Sequence, residues 1–412
     1  MSLLMLSWLD LRFPLALDSL FFSAKTPQFD QDEFDRQQQI PRFPVTLSFP
    51  SLPIFTRRCI PPMAARWGIV IPGSFVSEIG TPRIQVYAPG DAQFPDLVHI
   101  RDRAGQIRAQ RMKVTGIGKA TAVDLAKKGM HVTLACRSKE TGEKACLEVS
   151  QMAGNPNVRT MMCDLTSFDS IRKFAEEYLQ EGLPLHVLVN NAGIMACPRS
   201  YTKEGYEMQF GVNHLGHFLL TRLLLKTLAD SASIGLNSRV VVLASAAERI
   251  GSIDFDDLNF KGSRGYNAWV AYGQSKLANC LFSRELSRRC KEANVRVSSN
   301  SMHPGIVDTQ LIRYVFPQVM GEPAMLSGFR HTFLKFLGLK TPDEGASTAV
   351  YLAASKLVEG ISGMYFEDCE IKRPSAQAQN NKLASDLWEV SERMTCTSEL
   401  MFEGADKAQS YA

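Results

Sequence analysis

What most constrains this chain is a regular exchange of two periodicities that begins near Val114 and runs to Met302. Apolar residues recur at helical spacing over 121–128, Gly129 breaks the pattern, and His131-Val132-Thr133-Leu134-Ala135 follows as a β-branched run. The same exchange predicts helices over 139–153, 168–180, 206–228 and 271–293, and strands over 158–163, 186–190, 239–245 and 295–302. Strands separated by single helices pair in parallel through right-handed crossovers, with helices covering both faces. The expected fold class is therefore α/β: a doubly wound parallel sheet in a single domain over 113–395. Ligands of such a sheet bind beyond the carboxyl ends of its strands.

The flanks read differently. Over residues 1–112 Pro, Phe and Arg recur without period, as in Pro41-Arg42-Phe43-Pro44 and Arg57-Arg58-Cys59-Ile60-Pro61-Pro62, so an irregular extension is expected there. The apolar pieces 68–72 and 83–87 have strand character, but the sequence names no pairing partner for them. Residues 396–412 read as a tail. Lys and Arg total 46 against 42 for Asp and Glu, and the net charge of +4 forms no block, which argues against nucleic acid as a partner. The cysteines, at 59, 136, 146, 163, 197, 280, 290, 369 and 396, are never spaced as CxxC, so neither a disulfide framework nor a zinc site is expected. No run approaches the roughly 18 uninterrupted apolar residues of a membrane span. The apolar start, 2–22, is broken by Asp10, Arg12, Pro14 and Asp18. A cytoplasmic location, or one peripheral to an intracellular membrane, is expected, with an organelle address at the N-terminus left open.

Unusual residues cluster where the predicted strands end. Asp164 follows Cys163, Asn190-Asn191-Ala192-Gly193 follows Val187-Leu188-Val189, Ser245 closes a valine-rich run, and His303-Pro304-Gly305 follows the last strand. Each alone has a bland explanation as a turn, cap or loop former. In the helix over 271–293, Tyr272 and Lys276 stand four apart and so share one face, a phenol above an ammonium. Such a pair is common by chance, and only its convergence with the strand ends gives it weight.

Taken together, Asn190-Asn191-Ala192-Gly193, Asn213 within Val212-Asn213-His214-Leu215-Gly216-His217, Ser245, Tyr272 with Lys276, and Pro304-Gly305 resemble the motifs of the short-chain dehydrogenases/reductases. Gly129-Met130-His131-Val132, His217-Phe218-Leu219-Leu220-Thr221 and Thr341-Pro342-Asp343-Glu344-Gly345-Ala346 make the chain similar to the branch that holds the retinol dehydrogenases. The resemblance implies a Rossmann-type fold and hydride transfer between a nicotinamide and a lipophilic alcohol or carbonyl of retinoid, steroid or polyprenoid kind. Tyr272 would be the general acid/base, Lys276 would stabilise its anion and hold the ribose, Ser245 would bind the substrate oxygen, and Asn213 would complete a proton relay. For the cofactor, Gly116, Ile117 and Gly118 would face the phosphates, Asp164 and Leu165 the adenine, Asn191, Ala192 and Gly193 the adenosine ribose, and Pro304, Gly305, Val307 and Thr309 the carboxamide. Arg137, standing where an acidic residue would grip a ribose 2′-hydroxyl, favours the 2′-phosphate of NADP(H), with NAD(H) the lesser choice. A homodimer through the Tyr272 helix is a further expectation.

One motif departs from that pattern. Lys113-Val114-Thr115-Gly116-Ile117-Gly118 is about four residues short of the family's phosphate loop, and the preceding 106–112 is too polar for a central strand. This favours, as the alternative, a catalytically impaired or non-enzymatic variant lacking an intact dinucleotide loop. Over 326–340 an apolar stripe (Leu326, Phe329, Phe333, Phe336, Leu337) ringed by Arg330, Lys335 and Lys340 reads as a helix packed on the core, with substrate covering or peripheral membrane contact as other uses. His214 and His217 lack partners for a metal set and read as structural.

Overall fold

A computed structural model describes residues 68–72, 116–233, 235–307 and 340–397, together with the backbone of 97–101 and 107–111. The 83–87 piece, the 326–339 stripe and Thr309 lie outside the described residues, as do the N-terminal start and 398–412.

The elements in chain order are β1 (Gly68–Pro72), β2 (Leu97–Arg101), β3 (Ile107–Arg111), α1 (Ile117–Lys127), β4 (His131–Cys136), α2 (Lys139–Ala153), β5 (Val158–Met162), α3 (Phe168–Gln180) and β6 (Val187–Asn190). They continue with α4 (Gly216–Ser231), β7 (Ser238–Leu243), α5 (Ala268–Glu292), β8 (Val297–His303), α6 (Pro342–Ala354), β9 (Tyr365–Glu367), β10 (Glu370–Lys372) and α7 (Asn381–Thr395). Eight strands form the main sheet in the order β10-β9-β8-β7-β6-β1-β4-β5. All neighbours pair in parallel except the β9–β10 edge, which is an antiparallel turnback. The chain steps one way from β1 to β4 and β5, then returns to the other side of β1 with β6, which places the topological switch between β1 and β6. Two apolar clusters cover the two faces of the sheet, as the doubly wound expectation requires.

The expected boundary at 113 is corrected. The central strand of the sheet is Gly68-Ile69-Val70-Ile71-Pro72, drawn from the stretch set apart as irregular, and it pairs with β4 (Gly68↔His131) and with β6 (Ile69↔Val187). Ile69, Val70 and Ile71 are fully buried, as a strand covered on both faces demands. Residues 107–111, too polar for that position, pair instead with β2 in a separate antiparallel hairpin. The connection from β1 to α1 is therefore far longer than a loop four residues short, since 73–115 stand between them.

Local chemistry explains the element ends. Ser138, Ser167 and Asn267 cap α2, α3 and α5 with side chains that accept first-turn N–H groups. Gly154 closes α2 with a left-handed φ of 62°. Thr341 and Glu344 form a reciprocal capping box at the start of α6, with Pro342 in the first turn. Ahead of α4, the chain runs through a short helical turn, Met208–Phe210, and a π-helical segment, Gly211–Leu215. Among the described residues no helix is long and apolar enough to cross a membrane.

α7 lies across α4 and α5. Trp388 is 1% exposed and meets Phe218 edge-on at 4.8 Å and Phe282 stacked at 5.9 Å, with the guanidinium of Arg289 4.9 Å from its ring centre. Arg222 of α4 is buried and ion-paired to Glu392 of α7 at 3.0 Å. Every residue of α5 from 271 to 283 is buried within the single chain.

Candidate active site

The site forms where β7, α5 and the π segment before α4 meet. Ser245 follows β7 and opens a 3-10 turn, Ala246–Ile250, whose first N–H groups its side chain helps to cap, accepting from the Ala247 N–H at 3.3 Å. That turn crosses α5 closely because both chains are glycine at the crossing. A Cβ on Gly251 would stand 2.3 Å from the carbonyl oxygen of Gly273, the neighbour of Tyr272. Gly251→Ala must push the Ser245 turn off α5, so it is expected to cost about 1–3 kcal/mol of stability and to lower turnover. Thermal melts and kcat read the two effects, and an unchanged kcat in a destabilised protein would separate them.

Tyr272 is buried, with the Ser245 side chain beside its phenol. Burial pushes its phenol up to about 12, and the neighbouring Ser245 hydroxyl offsets part of that rise. The Lys276 ammonium, 5.7 Å from the centre of the Tyr272 ring, is pushed down to about 8, again by burial first. Desolvation is the largest effect on both groups and disfavours the charged form of each. At neutral pH the pair is a neutral phenol beside an ammonium.

Asn213 lies in the π segment, and its amide grips the loop after β6. Its Oδ1 accepts from the Ile194 N–H and its Nδ2 donates to the Ile194 carbonyl, both at 2.9 Å, while Nδ2 also reaches Ser275 Oγ of α5 at 2.9 Å. It thus ties the Asn191-Ala192-Gly193 loop to the helix of Tyr272. A Cβ on Gly193 would lie 3.4 Å from Asn213 Oδ1 and 3.6 Å from Lys276 Nζ, so that glycine, Asn213 and Lys276 come together.

The remaining candidates line the same carboxyl-end rim. Gly116 precedes α1 with φ of 91°, and the helix start carries no side-chain cap. Gly118 sits so near Asn191 that a Cβ would lie 2.4 Å from its amide nitrogen. Val307 packs toward Ile117 through Gly345, joining the loop after Pro304-Gly305 to the start of α1. Lys340, ion-paired to Asp368, lies over Gly305. Arg137 is exposed at the end of β4. Asp164 accepts from the Thr166 N–H and hydroxyl, and Leu165 beside it is buried.

His214 and His217 are buried, held by Ser391 Oγ and by the Asn213 carbonyl, each at 2.9 Å. Burial lowers them to about 3 and about 4, so both are neutral near pH 7. Sequence reasoning missed several buried polar residues that frame the site. Gln209 accepts from the N–H of Ala196, which has a positive φ of 48°, and donates to Tyr266. Gln274, between Tyr272 and Lys276, donates to the Leu258 carbonyl. Glu248, fully buried, accepts from Ser375 and so ties the turn after Ser245 to the C-terminal segment.

A family model described as enoyl-(acyl carrier protein) reductase matches residues 112–366. Retinol dehydrogenase 11 of Mus musculus is 44% identical over 277 residues, covering 67% of this chain and 82% of the relative. Retinol dehydrogenase 14 of Homo sapiens is 42% identical over 293 residues, covering 68% and 83%. The chain belongs to the short-chain dehydrogenase/reductase family. A solved structure of an uncharacterised protein from Mycobacterium paratuberculosis aligns at 29% identity with a TM-score of 0.56, covering 81% of this chain and 94% of that one. Membership makes this an oxidoreductase fold.

Proposed function

We propose that this chain transfers a hydride between NADP(H) and a lipophilic alcohol or carbonyl of retinoid, steroid or polyprenoid character. The observation that carries the reading is the convergence of the Ser245 hydroxyl, the Tyr272 phenol and the Lys276 ammonium on one buried rim. The retinol dehydrogenases at 42–45% identity support the substrate class.

In this reading Ser245 orients the substrate oxygen, and Tyr272 donates a proton to it or removes one from it. Lys276 offsets the phenolate charge and holds the ribose hydroxyls, while Asn213 keeps the Gly193 loop against them. The residues present fit a dinucleotide: α1 begins uncapped behind a left-handed Gly116, where a helix N-terminus attracts phosphate. Gly116, Ile117 and Gly118 would face the pyrophosphate, Asn191, Ala192 and Gly193 the adenosine ribose, and Asp164 with Leu165 the adenine. Pro304, Gly305 and Val307 would border the carboxamide. When bound, the nicotinamide supplies or accepts the hydride. Arg137 would pair with the 2′-phosphate; Arg137→Ala should raise the KM for NADPH about 10- to 100-fold, the worth of a charge-assisted hydrogen bond, and leave that for NADH unchanged. Equal effects on both cofactors would remove Arg137 from that role.

A second reading has its own observation. Because 73–115 separate β1 from Gly116, the short Gly-rich turn that normally wraps the phosphates is interrupted, which favours an impaired or non-enzymatic variant. Incubating the full chain with NADPH and a panel of retinoid, steroid and polyprenoid aldehydes tests the first reading. Carbonyl-dependent loss of NADPH absorbance is expected with at least one of them, and no turnover across the panel by NADPH-bound protein would contradict it.

A further inference from the structure

Asn279 stands three residues beyond Lys276 on α5 and is 1% exposed. The two side chains share an acceptor: Lys276 Nζ and Asn279 Nδ2 each lie 3.0 Å from the carbonyl oxygen of Leu243. Leu243 ends β7, two residues before Ser245, so this one oxygen joins the strand that carries the hydroxyl to the helix that carries phenol and ammonium. A carbonyl oxygen has two lone pairs, and two side-chain donors occupy them here.

The other end of Asn279 is also informative. Its Oδ1 is buried without a partner, and so is Nδ1 of His214. His214 neighbours Asn279, and the far nitrogen of its ring, Nε2, lies 2.9 Å from Ser391 Oγ on α7. The Ser391 hydroxyl donates to the Leu387 carbonyl at 2.8 Å, so Nε2 of His214 carries the ring proton and donates to Ser391 Oγ. His214 thus ties α7 to the neighbourhood of Asn279, whose own amide reaches the Leu243 carbonyl shared with Lys276.

We propose that Asn279 is a positioning residue for Lys276: it holds the Leu243 carbonyl and thereby sets where the ammonium sits beside Tyr272. Without it, the free lone pair of Leu243 draws the ammonium inward, away from the phenol. The titratable groups facing Lys276 are Tyr272 and Cys280 on its own helix, His217 from the helix that follows Asn213, and His303 from β8. Burial keeps the phenol, the thiol and both imidazoles uncharged near neutral pH. A charge introduced at 279 is therefore felt by Lys276 without a competing ion among these groups.

The kinetic consequences rest on the proposed oxidoreductase function, while the titration of Lys276 does not. The full chain, labelled with carbon-13 at lysine Cε and assigned with Lys276→Arg, gives the Lys276 titration directly by NMR, without cofactor. Asn279→Asp should move that titration up by about one unit or more, as an opposite charge within a few ångströms does. Asn279→Leu should cut kcat about tenfold or more while the KM for the carbonyl substrate stays within about twofold, the loss falling on the transition state. Should the leucine variant fold poorly, Asn279→Ser, whose shorter side chain cannot reach the Leu243 carbonyl, gives the same kinetic split. Folded variants with an unmoved Lys276 titration and wild-type kcat would overturn the proposal. An inactive wild type would instead refute the oxidoreductase reading, leaving the NMR arm to decide the role of Asn279.

Discussion

Tyr272→Phe is expected to lower kcat by about 10²–10⁴-fold, the usual contribution of a positioned general acid or base, while leaving NADPH affinity within a few-fold of wild type. The phenyl ring fills the same buried space between Ser245 and Lys276, so the packing of α5 survives the change. The pH dependence of the wild type carries the same assignment. Burial holds the phenol at about 12, so it is protonated and ready to donate throughout the neutral range. Lys276, held near 8, is charged below that pH and neutral above it. Carbonyl reduction should therefore be sustained below about pH 8 and fall as pH rises through it, because the phenolate left after donation then lacks its counter-charge. Stopped-flow or steady-state reduction across that window checks the sign. An active Phe variant, or a rate that climbs through pH 8, would remove Tyr272 and Lys276 from these roles.

Val70→Asp should unfold the domain. Val70 is fully buried in the middle of the sheet, with neighbours Thr133 on one side and Leu188 on the other. A carboxylate there has no partner, and an unpaired buried charge costs at least about 4 kcal/mol against a typical total of about 5–15 kcal/mol. Circular dichroism melts of the full chain read the loss. A matched Ile100→Asp change in the separate β2–β3 hairpin should leave the main-sheet transition in place. If Val70→Asp melted like wild type, 68–72 would not be the central strand.

These two outcomes also mark what the sequence made legible. The strand-helix exchange after 114 is local, with caps at Ser138 and Ser167 and a stop at Gly154, and the observed elements fall within a few residues of the expected ones. The Ser245, Tyr272 and Lys276 set was readable because β7 and α5 each announce themselves and the i, i+4 spacing fixes the face. β1 was not, since a five-residue apolar strand of a parallel sheet shows only apolarity, and its partners lie in β4 and β6, far along the chain. The long connection between β1 and Gly116 was consequently mistaken for a missing strand and a short loop. Asn279, Gln209 and Glu248 escaped notice for another reason. A polar residue on a helix normally reads as a solvated face, and only the packing of α5, α7 and the turn after Ser245 reveals that these are buried and bonded. The coverage of α5 by α7 was hidden in the same way, because Trp388 declares an apolar stripe but not its target.

The account turns on whether a chain whose central strand and Gly116 are separated by 73–115 still holds the dinucleotide that its proton-transfer residues need. Fluorescence titration of the full chain with NADPH measures this most directly. Saturable binding, weakened by Arg137→Ala and retained by Tyr272→Phe, is the predicted result. No saturable binding at millimolar NADPH by folded protein would contradict the oxidoreductase reading and leave the impaired variant as the account of this chain.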